Sequence, residues 1–234
     1  MSAEKNVEVK KFEIKNLATL VQKYEGCENL FVIAGGPSIE QLNYQALDPQ
    51  KHHMIVGNTA FRLFPQAMMA HHTDYNWWLA HGEELSKTFQ GELITGNGLG
   101  YSHFEYPEHV AFLQYSQERK FFPEHDRLFG ANSGLQGLIL AHYFAPKNII
   151  LLGFDHKPAA NGQTHWNNAT PLMEESKMQN SWQKSLKGFQ EFAKIRQALW
   201  ESYRPNQALP RIFNASPDSM IQDFEKISSI DAFL

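Results

Sequence analysis

The stretch FVIAGGPSIE, residues 31–40, decides the fold. An apolar, β-branched run (Leu30, Phe31, Val32, Ile33) leads into a turn of small residues (Ala34, Gly35, Gly36, Pro37), then Ser38 and a polar-apolar pattern that suits a helix. That order opens a βα unit. Glycine tolerates positive φ and, lacking Cβ, lets the backbone approach a bound group. The first turn of a helix adds unpaired N–H donors and the positive end of its dipole. The turn is therefore a candidate phosphate cradle, with Ser38 expected to cap the helix and Pro37 in its first turn, where a missing N–H costs little. Gly-Gly-Pro also serves as a plain strand-to-helix turn, so the rest of the chain must separate the two readings.

Downstream, the same order recurs. Ile39, Leu42, Tyr44 and Leu47 predict a short helix ended by DPQK, and HHMIVGNTAF predicts a second strand (Met54, Ile55, Val56) with Gly57 and Asn58 at its C-terminal end. Residues 67–70 form a third short strand, followed by His71, His72, Thr73, Asp74 and Tyr75. GELITGNGLG (91–100) gives a strand and a glycine-rich loop. The aromatic, charged run at 100–129 has no clean period and is expected to be an irregular or lid-like insertion, with a strand near 111–114. From 130 to 158, Asn132 and Ser133 start a helix with the apolar stripe Leu135, Leu138, Ile139 and Tyr143. Ala131, Gly134, Gly137 and Ala141 allow it to pack closely on a sheet. Pro146 breaks the helix, NIILLG is an apolar strand of the kind covered on both faces, and Gly153 and Asp155 lie just past it.

A polar loop, AANGQTHWNNATP, precedes a long helix over 174–203, whose Trp182, Leu186, Phe189, Phe192, Ile195 and Leu199 keep helical spacing. A last strand (211–213), an Asn214-Ala215-Ser216-Pro217 tip and a capped short helix with Met220, Ile221 and Phe224 are expected at the end. Residues 1–27 are expected to form an N-terminal helical extension through Phe12, Ile14, Leu17, Leu20 and Val21. No repeats or linkers interrupt the chain, so residues 1–234 are expected to form one nucleotide-binding α/β domain, a Rossmann-like three-layer sandwich with a mostly parallel central sheet. In such a sheet ligands bind at the C-terminal ends of the strands.

Composition narrows the partners. With 42% hydrophobic and 20% charged residues among 234, the chain can bury a substantial core, and its formal net charge of −4 creates no overall field towards nucleic acid or anionic membranes. Nucleic acid is not an expected partner. The single Cys27 excludes an intramolecular disulfide and a Cys-rich zinc site. The N-terminus has neither a signal-peptide core nor a membrane span, so a cytoplasmic location is expected. His71, His72 and Asp74 are metal-ligating types, but adjacent side chains in a strand point to opposite faces and no spaced partner accompanies them, so no metal site is expected. Trp77, Trp78 and Leu79 read as packing residues.

Taken together, these segments resemble a superfamily that holds lipooligosaccharide-type bacterial sialyltransferases, flagellar motility-accessory glycosyltransferases and archaeal 6-hydroxymethylpterin diphosphokinase-like proteins. Its first strand is followed by G-x-G-P-S-L, which stands here as AGGPSI, residues 34–39. The sialyltransferase branch adds an Asn after strand two (Asn58), a T-S-G helix start (NSG, 132–134), a strand ending in G-I-D-F (GFD, 153–155) and a late P-N-S-L-L-x-x-F segment (SPDSMIQDF, 216–224). With a THW element after GFD, the pattern is also similar to uncharacterised phage- and prophage-encoded proteins. The resemblance implies nucleotide contacts from Gly35, Gly36, Ser38, Asn58, Asn132, Ser133 and Gly134. Pro37, Asp74, Gly153 and Trp166 are added from their expected places at strand tips and in the THW loop. In the sialyltransferases the base is a His after an S-H-Y element; His165 and Trp166 match its first His and aromatic, and Ala169 stands where the second His would be.

The leading expectation is a nucleotide-sugar-dependent glycosyltransferase using a CMP-activated donor as substrate, with no cofactor, His165 as general base and Asp155 orienting or assisting it. Two alternatives stay open: a Mg²⁺-dependent diphosphokinase-like transferase with Asp74 and Asp155 as ligands, and a non-catalytic, phage-associated nucleotide-binding protein.

Overall fold

The computed structural model describes residues 17–96, 106–107, 109–130, 132–167 and 175–234, with the side chains of 175–178 left aside. The N-terminal part of the expected extension (1–16), the glycine loop 97–100, residues 101–105 of the lid-like segment, Ala131 and Ala169 lie outside the described residues.

Helix α1 (Ala18–Tyr24) precedes strand β1 (Asn29–Ile33), and β2 (His53–Gly57), β3 (Met69–His72), helix α2 (Tyr75–Thr88), β4 (Glu92–Thr95) and β5 (Val110–Phe112) follow. Two short strands, β6 (Gln114–Tyr115) and β7 (Arg127–Leu128), come before helix α3 (Ser133–Tyr143), β8 (Asn148–Leu152), helix α4 (Glu175–Tyr203), β9 (Arg211–Asn214) and β10 (Glu225–Lys226). Eight strands form one sheet in the order β10-β9-β8-β1-β2-β3-β4-β5, while β6 and β7 pair separately. Each adjacent pair of described strands is parallel. This is the expected Rossmann-like α/β sandwich.

The three layers follow from residue alternation along the strands. In β1, Leu30 and Val32 face one core with α3 and α4, while Phe31 and Ile33 face the other with α2. In β8, Ile149 and Leu151 join the first core, Ile150 and Leu152 the second. A strand buried on both faces needs an unbroken apolar run, and NIILL supplies one. Close packing of α3 comes from its glycines: a Cβ at Gly137 would stand 3.2 Å from a Val32 methyl.

The order of the strands locates the site. From β1 the chain winds outward through β2, β3, β4 and β5 to one edge, then returns through α3 to β8 on the other side of β1 and continues to β9 and β10. The reversal leaves a crevice at the carboxyl ends of β1 and β8.

Four local expectations are corrected. The short helix after the glycine turn is two 3₁₀ turns, Pro37–Gln41 and Tyr44–Ala46; Ile39 and Leu42 stand three apart, the period of a 3₁₀ turn. Ser38 does not cap it; Gly36 occupies the cap position without a side-chain bond, and the Ser38 hydroxyl turns inward. The segment after β9 forms no helix. Ser219 Oγ donates to Phe154 O at 2.5 Å and Met220 N–H to Asp155 O at 2.9 Å, so its polar groups tie it to the chain after β8 before it enters β10. Leu79, read as packing, is 67% exposed on the outer face of α2, whereas Trp78 is buried. No described helix is long and apolar enough to cross a membrane.

Candidate active site

A cavity of about 150 Å³ opens at the crevice, lined by Gly35, Gly36, Asn58, Thr59, Trp77, Gly153, Asp155, His156, Lys157, Thr164, His165 and Trp182. Beside it lies a slot of about 30 Å³ that shares Gly35 and Asn58 and reaches His71, Ser133 and Gly134. Residues from distant parts of the sequence, from Gly35 to Trp182, thus meet at one end of the sheet.

The glycine turn is fixed from within. Gly36 N–H donates to Gly153 O at 2.9 Å, Ser38 Oγ donates to Asp155 Oδ2 at 2.9 Å, and Ser38 N–H reaches the same oxygen at 3.4 Å. Ser216 Oγ lies 2.7 Å from Ser38 Oγ and accepts from Phe154 N–H at 3.2 Å. The Asp155 carboxylate therefore takes the place at the start of the 3₁₀ turn that a bound anion was expected to fill. A Cβ at Gly36 would lie 1.9 Å from Asp155 Oδ2, so only glycine fits there. Burial pushes the Asp155 carboxyl above its ordinary range, opposed by the Ser38 bonds.

Backbone conformation marks the same place. Gly153 (φ 70°), Asn58 (φ 49°) and His156 (φ 54°) all line the cavity in the left-handed region, which is costly for residues with a Cβ and is found where surrounding structure enforces it. His156 Nε2 sits 2.6 Å from Ser185 Oγ, and Asn132 Nδ2 donates to that same oxygen at 2.9 Å. Burial lowers the His156 pKa to about 4, so the ring is neutral near pH 7.

His165 is held by its loop. Trp166 N–H donates to Gly35 O at 3.0 Å, and Gln163 Nε2 donates to the carbonyls of His165 and Trp166. Thr164 Oγ1 lies 3.0 Å from His165 Nδ1. When Nδ1–H donates to that hydroxyl, Nε2 keeps its lone pair, and the residue lines the cavity. Burial lowers the His165 pKa, which keeps the ring neutral at neutral pH.

The remaining expected residues divide. Asn132 caps α3, its Oδ1 accepting from Leu135 N–H at 2.9 Å, and Ser133 Oγ is 2.8 Å from Thr73 Oγ1. Ser133 and Gly134 border the narrow slot rather than the main cavity. Pro37 and Ser38 are buried beneath the turn. Trp166 packs against the α2-side core. Asp74 stands apart: it is exposed and caps α2 by accepting from the N–H groups of Asn76 and Trp77. Of the two carboxylates considered for Mg²⁺, only Asp155 lines the cavity. Among the described residues no group of three or more His, Cys, Asp or Glu side chains could hold a metal ion.

Sequence reasoning missed His156, Lys157 and Thr164, and it placed Trp77 and Trp182 in packing roles although both line the cavity. Lys157 carried a legible signal, a cation two residues after the GFD tip. The left-handed turn that aims His156 carried none.

No family model and no curated protein matches the chain. Among solved structures, the chain is similar to the sialyltransferase CstII from Campylobacter jejuni, described in complex with a substrate analogue, cytidine-5′-monophosphate. The identity is 12%, the match covers 87% of this chain and 86% of that one, and the TM-score is 0.48.

Proposed function

We propose that the chain is a nucleotide-sugar-dependent glycosyltransferase that uses a CMP-activated donor, with His165 as general base. The observation that carries this reading is the meeting of His165, Asp155, Lys157 and the glycine turn in one cavity at the switch point of a parallel sheet. The motif series from AGGPSI to SPDSMIQDF supports the same assignment.

Transfer needs a base, charge stabilisation for the leaving phosphate, and fixed geometry. In the proposed step the acceptor hydroxyl oxygen bonds to the donor's anomeric carbon, and the bond from that carbon to the phosphate oxygen breaks. The hydroxyl proton goes to His165 Nε2, and the bond pair leaves with CMP. Lys157 is the cation in the cavity lining that answers the charge left on the phosphate. Asp155 is spent on Ser38 and acts by holding the turn, and Asn58 and the α3 start are the proposed contacts for the nucleoside.

The test combines binding and turnover. CMP is expected to raise the melting temperature, as a ligand at a hundred times its Kd adds about 2.7 kcal/mol. His165→Ala is expected to keep that shift and to lose turnover by about 10²–10⁴-fold, the usual worth of a general base. Because the His165 pKa is lowered from 6.5, kcat/KM should be flat above that value and fall on the acid side below it. No shift with CMP or with any CMP-sugar overturns the nucleotide assignment; undiminished turnover in His165→Ala overturns the base. Activity abolished by a chelator would instead support Mg²⁺-dependent transfer.

A further inference from the structure

A second, larger cavity of about 310 Å³ lies along the middle of α4, between residues 184–195 of that helix, the chain after β6 and the start of α3. It shares no lining residue with the first cavity. The chain of hydrogen bonds from Asn132 through Ser185 to His156 runs close to both: His156 lines the first cavity, and Ser185 is flanked on α4 by Lys184 and Lys187 of the second.

Its lining has two chemical parts. Phe129, Leu135 and Phe192, all buried members of the α3/α4 core, present an apolar floor. Lys184 and Lys187 stand at its rim, three residues apart on one helix face, where two like charges repel slightly in the empty protein. Arg119 also borders the cavity, but its guanidinium is paired with Glu191 at 2.7 Å, which spends the one carboxylate of the lining. Among the described residues neither lysine has a carboxylate partner. A volume of this size falls at the lower end of the small-molecule range. An apolar floor with unpaired cations on one rim selects a ligand with both characters: a flat apolar body provides the burial, and an anionic group on it meets the ammonium groups.

We propose that this second cavity binds a small ligand carrying one anionic group, a carboxylate, sulfonate or phosphate, on a flat apolar body. The inference is independent of what the first cavity does. Naphthalene-1-sulfonate is a suitable probe, titrated calorimetrically into the full chain, with uncharged 1-naphthalenemethanol as its control. Expected are saturable one-to-one binding, an affinity about tenfold or more lower for Lys184→Glu/Lys187→Glu, and a similar drop for the uncharged control. Salt at about 1 M, where the screening length is roughly 3 Å, should weaken the sulfonate and leave the control unchanged. Both lysines are exposed, so the variant should melt with the wild type; the milder Lys184→Gln/Lys187→Gln pair reports the same loss should reversed charges unsettle α4. Lys157→Glu, which alters only the first cavity, should bind the sulfonate like wild type. Equal affinity in the double variants, a loss in Lys157→Glu, or no saturable binding at millimolar probe overturns the proposal.

Discussion

Gly36 shows how much of the site depends on an absent side chain. Its missing Cβ leaves room for the Asp155 carboxylate and for Gly153 O, which a Cβ would approach to 2.4 Å. Gly153 O is backbone and cannot swing away, so Gly36→Ala should force the turn off β8 at a cost of about 1–3 kcal/mol, typical of overpacking. The check is thermal melting with and without CMP: lower stability together with a smaller CMP shift is expected, and a wild-type profile would remove the turn from the site. Asp155 makes a second, opposite case. Its folded pKa is raised, so ionisation is harder in the protein than in the unfolded chain. Stability from this group is therefore present at acid pH and is lost as pH rises from 3.8 through the folded value. Asp155→Asn keeps an acceptor for Ser38 and removes the buried charge, so above that window it should match or exceed wild-type stability in urea. A large loss of stability at pH 7 would mean that the charge, rather than the shape, holds the turn.

At the level of elements, the Ser185 hydroxyl on α4 is bonded to the cap of α3. Asn132 uses both ends of its amide, Oδ1 on the Leu135 N–H and Nδ2 on Ser185 Oγ. Asn132→Ala should cost about 1 kcal/mol for the lost cap and somewhat more for the broken link to α4. Ser185→Ala keeps the cap and breaks the link, and it leaves His156 Nε2 without its oxygen partner. Urea unfolding of the two variants and their double mutant measures the coupling; strictly additive costs would show that the link carries nothing. This cap was legible in the sequence because Asn followed by an apolar stripe at helical spacing is local information. The strands were legible for the same reason: NIILLG and MIVG are unbroken apolar runs that only a doubly covered sheet accommodates. What stayed hidden was set by distant contacts. Ser38 looks like a helix cap until Asp155, 117 residues away, offers a better acceptor. Ser219 and Met220 look helical until Phe154 and Asp155 capture their donors. His156 enters the cavity through a backbone angle that no residue pattern announces.

Across the whole molecule, the two cores share an unusual passenger, histidine. His71 and His72 end β3, His142 lies inside α3 and His156 follows β8; burial lowers their pKa values to about 4, 3, 3 and 4. His142 shows the physical arrangement: its Nδ1 donates to Leu138 O at 2.7 Å, its ring stacks on Phe121 at 5.4 Å, and no described residue is placed to stabilise a second proton. In the unfolded chain each of these rings titrates near 6.5, whereas in the folded protein each stays neutral down to the lowered value. Between those limits the unfolded state binds more protons, so stability rises with pH there and is lost as pH falls from about 6.5 towards about 4. Each ring contributes a slope of up to about 1.4 kcal/mol per pH unit. The fold should therefore weaken steeply in a range where ordinary carboxylates are still ionised. Urea unfolding at intervals between about pH 7 and about pH 5 measures that slope. In His142→Leu, which keeps the bulk and removes the proton site, the curve should be shallower by about one ring's share, whatever the absolute stability at neutral pH. Parallel slopes for the variant and the wild type would mean that His142 does not couple folding to protons.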